Sequence, residues 1–386
     1  MNRLIVANGT WQLIVVTSAL SQVSHHTSSV FDDYLILYAP GLSNGMKKVM
    51  LEIASLAWKW RKIIWVDDLL YSNIVTYSNF EILELLQAIR ERIGINIFSE
   101  IWIGKLTDPA EKLILESFPN AEISIYEDGL HTYAPQEDWR LNNLQLIFKP
   151  GIAKYKIQKR IQQNTNISHR LKNYGLCRQH LNRLTRSYLV LNNILPVPQY
   201  LDCKIIKINN EFVLLTIKNI RAGIEIDFSK QITSKSNNYV LVTGQCFARW
   251  GLMSWEQELN MYSKIFNTIQ KKNLTPLWKE HPRINKPFFK ELATQFQELH
   301  PIEFNLPIYW PIEIFIEEIN LIACVSATST SLFYVRDIFG LQSYTVAHEL
   351  SHLFSGDFAY ITDLVAKHIP QIDLMPKMFK ESIRIT

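Results

Sequence analysis

Ile123-Ser124-Ile125-Tyr126-Glu127-Asp128-Gly129 reads as a short apolar strand that stops at two acids and a glycine. Runs of the same kind stand upstream, at Leu4 to Ala7, Tyr34 to Tyr38, Ile63 to Val66 and Ile101 to Ile103. Between them, Met46 to Trp60 and Phe80 to Ile93 carry apolar residues at helical spacing. Continuously apolar strands alternating with amphipathic helices predict an α/β fold whose parallel sheet is covered on both faces. In a doubly wound sheet, ligands bind beyond the carboxyl ends of the strands. Glu127 and Asp128 occupy such an end.

The alternation resumes after a less regular, strand-rich stretch from Tyr188 to Phe228. Strands are expected at Tyr239 to Thr243, Pro276 to Glu280 and Leu321 to Val325, with helices at Trp255 to Lys272, Pro287 to Gln297 and Ser329 to Phe339. This predicts two α/β units facing each other across a cleft, residues 1–187 and 188–355. A tail, 356–386, carries a helix from Asp357 to His368 that is expected to cross back onto the first unit.

The chain of 386 residues is long enough for two domains with separate cores. An apolar fraction of 47% with 20% charged residues excludes a disordered chain. A net charge of +4 falls short of a nucleic-acid footprint. The charge is uneven, with basic residues gathered between Lys149 and Arg186. Such a stretch is either a solvated helical surface or an attraction for an anionic acceptor or anionic lipid headgroups. Cys177, Cys203, Cys246 and Cys324 show no C-x-x-C spacing, which points to a reducing compartment. Leu4 to Ala7 is too short for a signal-peptide core, and no apolar stretch approaches the roughly 18 residues of a spanning helix. The expectation is a cytoplasmic protein, touching at most the inner face of the plasma membrane.

Adjacent side chains on a strand point to opposite faces, so Glu127 and Asp128 are expected to divide the work. One enters the cleft, where a carboxylate can take the proton of an attacking hydroxyl. The other braces the turn, and Gly129 lets the backbone bend tightly. An acidic turn left in solvent is the plainer alternative. Lys279-Glu280-His281-Pro282-Arg283 ends a second strand. Pro282 holds His281 in extended geometry, an imidazole of near-neutral pKa can protonate a departing phosphate oxygen, and Arg283 can neutralise its charge. Ser326-Ala327-Thr328-Ser329-Thr330-Ser331 joins a third strand to a helix, where free N–H groups and hydroxyls make an anion site; simple N-capping requires only one of them. Glu313, opening a short helix after Pro311, can accept from a ribose diol or a base amino group, or simply suits the helix dipole.

Together, Glu127-Asp128-Gly129, His281-Pro282 and Ser329-Thr330 resemble the motifs of bacterial sialyltransferases, most of all the lipooligosaccharide sialyltransferase and alpha-2,8-polysialyltransferase families. The likeness extends to Asn8-Gly9-Thr10-Trp11-Gln12-Leu13 and to Pro311-Ile312-Glu313. It implies a GT-B fold of two Rossmann-like domains, the first on the acceptor side and the second binding the donor. It also implies inverting, metal-independent transfer of sialic acid from CMP-sialic acid to a glycan hydroxyl, with no cofactor. By position, Asp128 or its neighbour Glu127 is the base, and His281 assists the leaving phosphate with Pro282 and Arg283. Ser329 and Thr330, or a neighbouring pair starting at Thr328, hold that phosphate, and Glu313 contacts the cytidine. Gly9, Thr10 and Gly129 belong to the cleft loops. The absence of any Asp-x-Asp triplet is compatible with transfer that uses no divalent ion.

Two other functions are consistent with parts of the chain. His348-Glu349-Leu350-Ser351-His352 matches H-E-x-x-H, which on a helix binds zinc and supplies a base for peptide hydrolysis. Against it, Gln342 to Ala347 reads as a strand, and Phe358 stands where an extended motif has its third histidine. The scaffold also suits a nucleotide- or glycan-binding protein without catalysis.

Overall fold

The computed structural model describes residues 1–27, 30–38, 43–66, 79–105, 109–134, 182–191, 194, 203–225, 239–284, 286–304, 308–354 and 357–376. Two compact units emerge, Met1–Gly223 and Ile224–Thr386.

The first unit is built on strands β1 (Asn2–Ala7), β2 (Asp32–Leu37), β3 (Lys62–Trp65), β4 (Glu100–Ile103), β5 (Glu122–Tyr126), β6 (Leu184–Leu189) and β7 (Lys204–Lys207). They form one seven-stranded sheet in the order β3-β2-β1-β4-β5-β6-β7, with every neighbouring pair parallel. Among the described residues, helices α1 (Thr10–His26), α2 (Asn44–Ala57), α3 (Asn79–Ile93), α4 (Pro109–Ser117) and α5 (Asn210–Ala222) accompany it. The expected parallel sheet is thus present, and its inner strands are buried on both faces as their unbroken apolar runs require. Leu4, Val6, Ile101, Ile103, Ile123 and Ile125 share one core with Leu86 and Ile89 of α3 and Ile114 of α4. The strand order reverses between β1 and β4, which makes their carboxyl ends the switch point where such sheets bind ligands.

The second unit carries β8 (Tyr239–Thr243), β9 (Thr275–Lys279), β10 (Ile302–Glu303), β11 (Leu321–Ser326) and β12 (Gln342–Thr345). Their order is β10-β9-β8-β11-β12, again all parallel, with the reversal between β8 and β11. The helices among the described residues are α6 (Trp255–Lys271), α7 (Phe289–Gln295), α8 (Ser331–Asp337), α9 (Ala347–Leu350) and α10 (Asp357–His368). Ser254 starts α6 with a capping box closed by Gln257. Val240, Val242, Tyr262, Phe266 and Trp278 form the centre of this core.

Three expectations change. The first unit runs to Gly223 rather than ending at residue 187, because β6 and β7 extend the same sheet and α5 packs on α1 and α2. Among the described residues, the strand-rich reading of Tyr188 to Phe228 gives way to the end of β6, the short β7 and helix α5. The helix expected at Ser329 to Phe339 spans only Ser331–Asp337. Residues 357–368 do form a helix, grouped with the second unit and packed on α9.

Most of the basic stretch from Lys149 lies outside the described residues. Its last two arginines serve the fold: Arg183 donates to the carbonyls of Phe118 and Ala121, and Arg186 pairs with Glu100 at 2.8 Å. No helix among the described residues is long and apolar enough to cross a membrane.

Candidate active site

In the first unit the two acids separate as strand alternation requires. Glu127 is fully buried; its Oε2 accepts the N–H groups of Val190 (2.7 Å) and Leu191 (3.0 Å) and the hydroxyl of Tyr133. It therefore fixes the chain leaving β6. Asp128 is half-buried and turns the other way. Its Oδ1 accepts from Gln12 Nε2 at 2.5 Å, and its Oδ2 meets the Lys105 ammonium at 2.5 Å. Its own N–H donates to Thr132 Oγ1 at 2.7 Å. Gly129 takes φ 59°, the left-handed conformation that lets the chain turn here into the short 3₁₀ helix Gly129–Thr132.

These partners come from the switch point. Gln12 lies in the first turn of α1, behind Gly9 and Thr10, and its Oε1 accepts the Asn8 N–H at 2.8 Å. Lys105 follows β4, and the buried Glu111 accepts the N–H groups of Gly104 (3.1 Å) and Lys105 (2.6 Å). A side chain on Gly104 would start 3.1 Å from Gln12 Nε2, so glycine keeps the amide's path to Asp128 open. Burial pushes the Asp128 carboxyl up, but Lys105, with His131 and Gln12, more than offsets this and holds it below the usual range. Asp128 is therefore an ionised, oriented carboxylate at neutral pH.

In the second unit the loop after β8 is tied by the buried Glu258. Glu258 accepts the Ala248 N–H at 2.7 Å and the Tyr262 hydroxyl at 3.0 Å, and that hydroxyl accepts the Gln245 N–H at 2.5 Å. Gln245 Nε2 donates to Ser326 Oγ at 3.2 Å, joining the ends of β8 and β11 across their switch point. After β9, Glu280 repeats the device, accepting the N–H groups of His281 (3.3 Å) and Phe288 (2.9 Å).

His281 Nδ1 accepts the Arg283 N–H at 3.1 Å, so the neutral ring carries its hydrogen on Nε2. The expected near-neutral imidazole is corrected: burial, then Arg283, Lys279 and Arg249, lower its pKa to about 3. A ring crowded by cations resists a further positive charge. It presents a neutral Nε2–H among positive groups. The Arg249 guanidinium donates to the Arg283 carbonyl. Cys246 Sγ lies 3.9 Å from His281 Nε2, but burial and Glu258 push this thiol up to about 12, which leaves it unreactive.

Glu313 is buried and accepts from Ser331 Oγ at 2.6 Å. Burial raises its pKa against that hydrogen bond and the charge of Lys279. Lys279, lowered to about 8 by burial, donates to the Ile308 carbonyl at 2.7 Å. Ser329 Oγ accepts the Ser331 N–H at 3.2 Å, while Thr328 is buried and Ser329 and Thr330 are half-exposed. With α8 only seven residues long, hydroxyls rather than a long helix dipole remain to meet an anion. Pro282 is half-buried beside His281.

Within units, then, the structure joins Asp128 to Gln12, His281 to Arg283, and Glu313 to the Ser329–Ser331 turn. Sequence reading missed Lys105, Glu111 and Arg249 as members of these clusters, and named Gln12 and Lys279 only within motifs. Lys105 was accessible to the strand-end rule that found Asp128, since it follows β4 after a glycine.

The H-E-x-x-H residues follow β12, the strand expected over Gln342 to Ala347, which ends at Thr345. His348 and Glu349 lie in the single turn of α9, and His352 in the 3₁₀ turn Ser351–Leu353. Glu349 pairs with Lys264 at 3.3 Å, and His348 Nε2 lies 3.3 Å from the Ile369 carbonyl. Among the described residues no three His, Cys, Asp or Glu side chains are grouped to hold a metal.

A family model described as Alpha-2,8-polysialyltransferase (POLYST) matches residues 3–348. Among solved structures, the chain is similar to UGT2 of Phytolacca americana complexed with UDP-2fluoro-glucose and pterostilbene: 10% identity, 96% of this chain and 88% of that one, TM-score 0.53. It is similar to the UDP-GlcNAc 2-epimerase of Methanocaldococcus jannaschii in complex with UDP-GlcNAc and UDP, at 11% identity, 98% and 95% coverage and TM-score 0.51. A sialyltransferase GT-B domain from Photobacterium damselae aligns at 13% identity, 97% and 98% coverage and TM-score 0.46. At such identities the likeness is one of fold alone. No curated protein matches by sequence.

Proposed function

Because the chain belongs to the alpha-2,8-polysialyltransferase family and has the GT-B fold, we propose that this sialyltransferase moves sialic acid from CMP-sialic acid to a glycan hydroxyl by a single inverting displacement that needs no metal ion. The observation that supports this reading best is the division of labour between the paired acids. Glu127 is consumed by the fold, whereas Asp128 stands half-buried beyond β5, ionised and held by two side chains from the switch point.

In this reading the acceptor oxygen bonds to the anomeric carbon of the donor as its proton passes to Asp128. The bond from that carbon to the phosphate oxygen breaks, and its electron pair leaves with CMP. His281 donates a hydrogen bond from Nε2 to the departing phosphate, Arg283 supplies positive charge, and Ser329 and Thr330 offer hydroxyls. Preorganised donors and cations of this kind do the work a divalent ion does elsewhere. Glu313 contacts the cytidine.

The test is transfer from CMP-sialic acid to a glycan array by wild type and Asp128→Asn, with and without chelator. Loss of roughly 10²–10⁴-fold in the variant is expected, with no effect of chelator on wild type. Wild-type turnover in Asp128→Asn removes the base; activity abolished by chelator and restored by a divalent ion removes the metal-free mechanism.

A further inference from the structure

Asp128 is gripped more firmly than a surface carboxylate at the end of a strand. Gln12 and Lys105 approach different oxygens, each at 2.5 Å. The lysine is itself set in place, because Glu111, 0% exposed, accepts the backbone N–H groups of Gly104 and Lys105. An exposed ion pair spends side-chain entropy to hold two flexible groups together. Here the backbone is already fixed, and the lysine side chain is only 27% exposed.

We propose that Lys105 is a positioning residue for the transfer reaction, its ammonium fixing the direction and charge of Asp128 while the acceptor hydroxyl is engaged. This rests on the reading of Asp128 as the base.

The charged and titratable neighbours make the assignment specific. From the loop after β4 comes Lys105, and from the turn after Asp128 comes His131. Glu111 engages the backbone of that β4 loop, and Glu127 faces Val190 and Leu191. Burial alone pushes Asp128 toward its neutral acid, and the Lys105 charge is the main influence opposing it. A carboxylate kept charged in this way is a modest base. It suits a proton that becomes acidic only after the acceptor oxygen has begun to bond to carbon.

The experiment uses the full chain as wild type, Lys105→Met, Lys105→Arg and Asp128→Asn, with kcat/KM for transfer from CMP-sialic acid followed against pH. Lys105→Met is expected to lose roughly a hundredfold, the scale of a misplaced catalytic group, and to move the acid limb to higher pH. Lys105→Arg should restore the limb to its wild-type position. A Lys105→Met profile with the wild-type limb overturns the proposal. Where that variant is too slow to profile, urea unfolding gives a second reading. A depressed carboxylate adds stability above its unfolded pKa, which is lost as pH falls through its folded pKa. The stability lost on Asp128→Asn at neutral pH should therefore vanish or reverse in the Lys105→Met background; an equal loss in both backgrounds overturns the proposal. Full turnover by Asp128→Asn removes the base and this inference with it. A dead Asp128→Asn beside an unmoved Lys105→Met limb removes only the inference.

Discussion

Replacing Glu127 by alanine separates a brace from a base. The carboxylate receives two backbone N–H groups and one phenol in a site with 0% exposure. Each buried donor left without its acceptor costs about 1–3 kcal/mol. Water entering the space left by the side chain relieves part of this, so about 4 kcal/mol is expected, the scale of breaking a buried charged contact. That is a large share of the ~5–15 kcal/mol that holds a domain together. The assay is urea unfolding paired with hydrogen exchange of the segment Leu184–Leu191. Local opening by about 4 kcal/mol speeds amide exchange at Val190 and Leu191 by roughly a thousandfold. Glu127→Gln keeps one carbonyl acceptor and should lose about half as much. Suppose instead that Glu127→Ala unfolds and exchanges like wild type, yet loses transfer as fully as Asp128→Asn. Glu127 would then act on substrate, and the assignment of the two acids would be reversed.

His281→Ala should lower transfer by roughly 10²–10³-fold, the worth of one preorganised donor, with little change in unfolding midpoint; because the ring is neutral down to about pH 3, no limb of the wild-type profile near pH 6 should disappear with it. Glu313→Ala should weaken CMP binding measured by calorimetry about tenfold, the worth of one hydrogen bond to a charged group; unchanged affinity would remove Glu313 from donor recognition. Glu258 has a folded pKa raised by burial above its ordinary 4.5. Its contribution is therefore fully present below pH 4.5 and lost as pH rises through the folded value. Glu258→Gln should accordingly show less gain in stability than wild type when the pH is lowered from neutral, and parallel curves would refute the link.

The sheets were legible because parallel strands buried on both faces need unbroken apolar runs, and Ile123 to Tyr126 is one. Helix α1 was not legible. Its Leu13-Ile14-Val15-Val16 run is buried throughout, without the polar face that betrays an amphipathic helix. The boundary at Gly223 was hidden for a different reason: nothing in the short β7 sequence says which sheet it will join. Asp128 and His281 stood out because they share motifs with glycine or proline. Lys105 and Gln12 meet Asp128 only after three loops are brought to one end of the sheet, a proximity that no local spacing encodes. His281 was recognised, but its titration was not, since crowding by Lys279, Arg249 and Arg283 exists only in three dimensions.

Glu111, Glu127, Glu258 and Glu280 all grip main-chain amides of neighbouring loops, with Tyr133, Tyr262 and Trp278 donating to the last three as well. An amide offers the same handle whichever non-proline residue bears it. The tethered segments can therefore exchange their side chains during divergence without drifting in space. Side chains on these loops can be rewritten one position at a time on anchors that stay put, with proline the one substitution the anchors would veto.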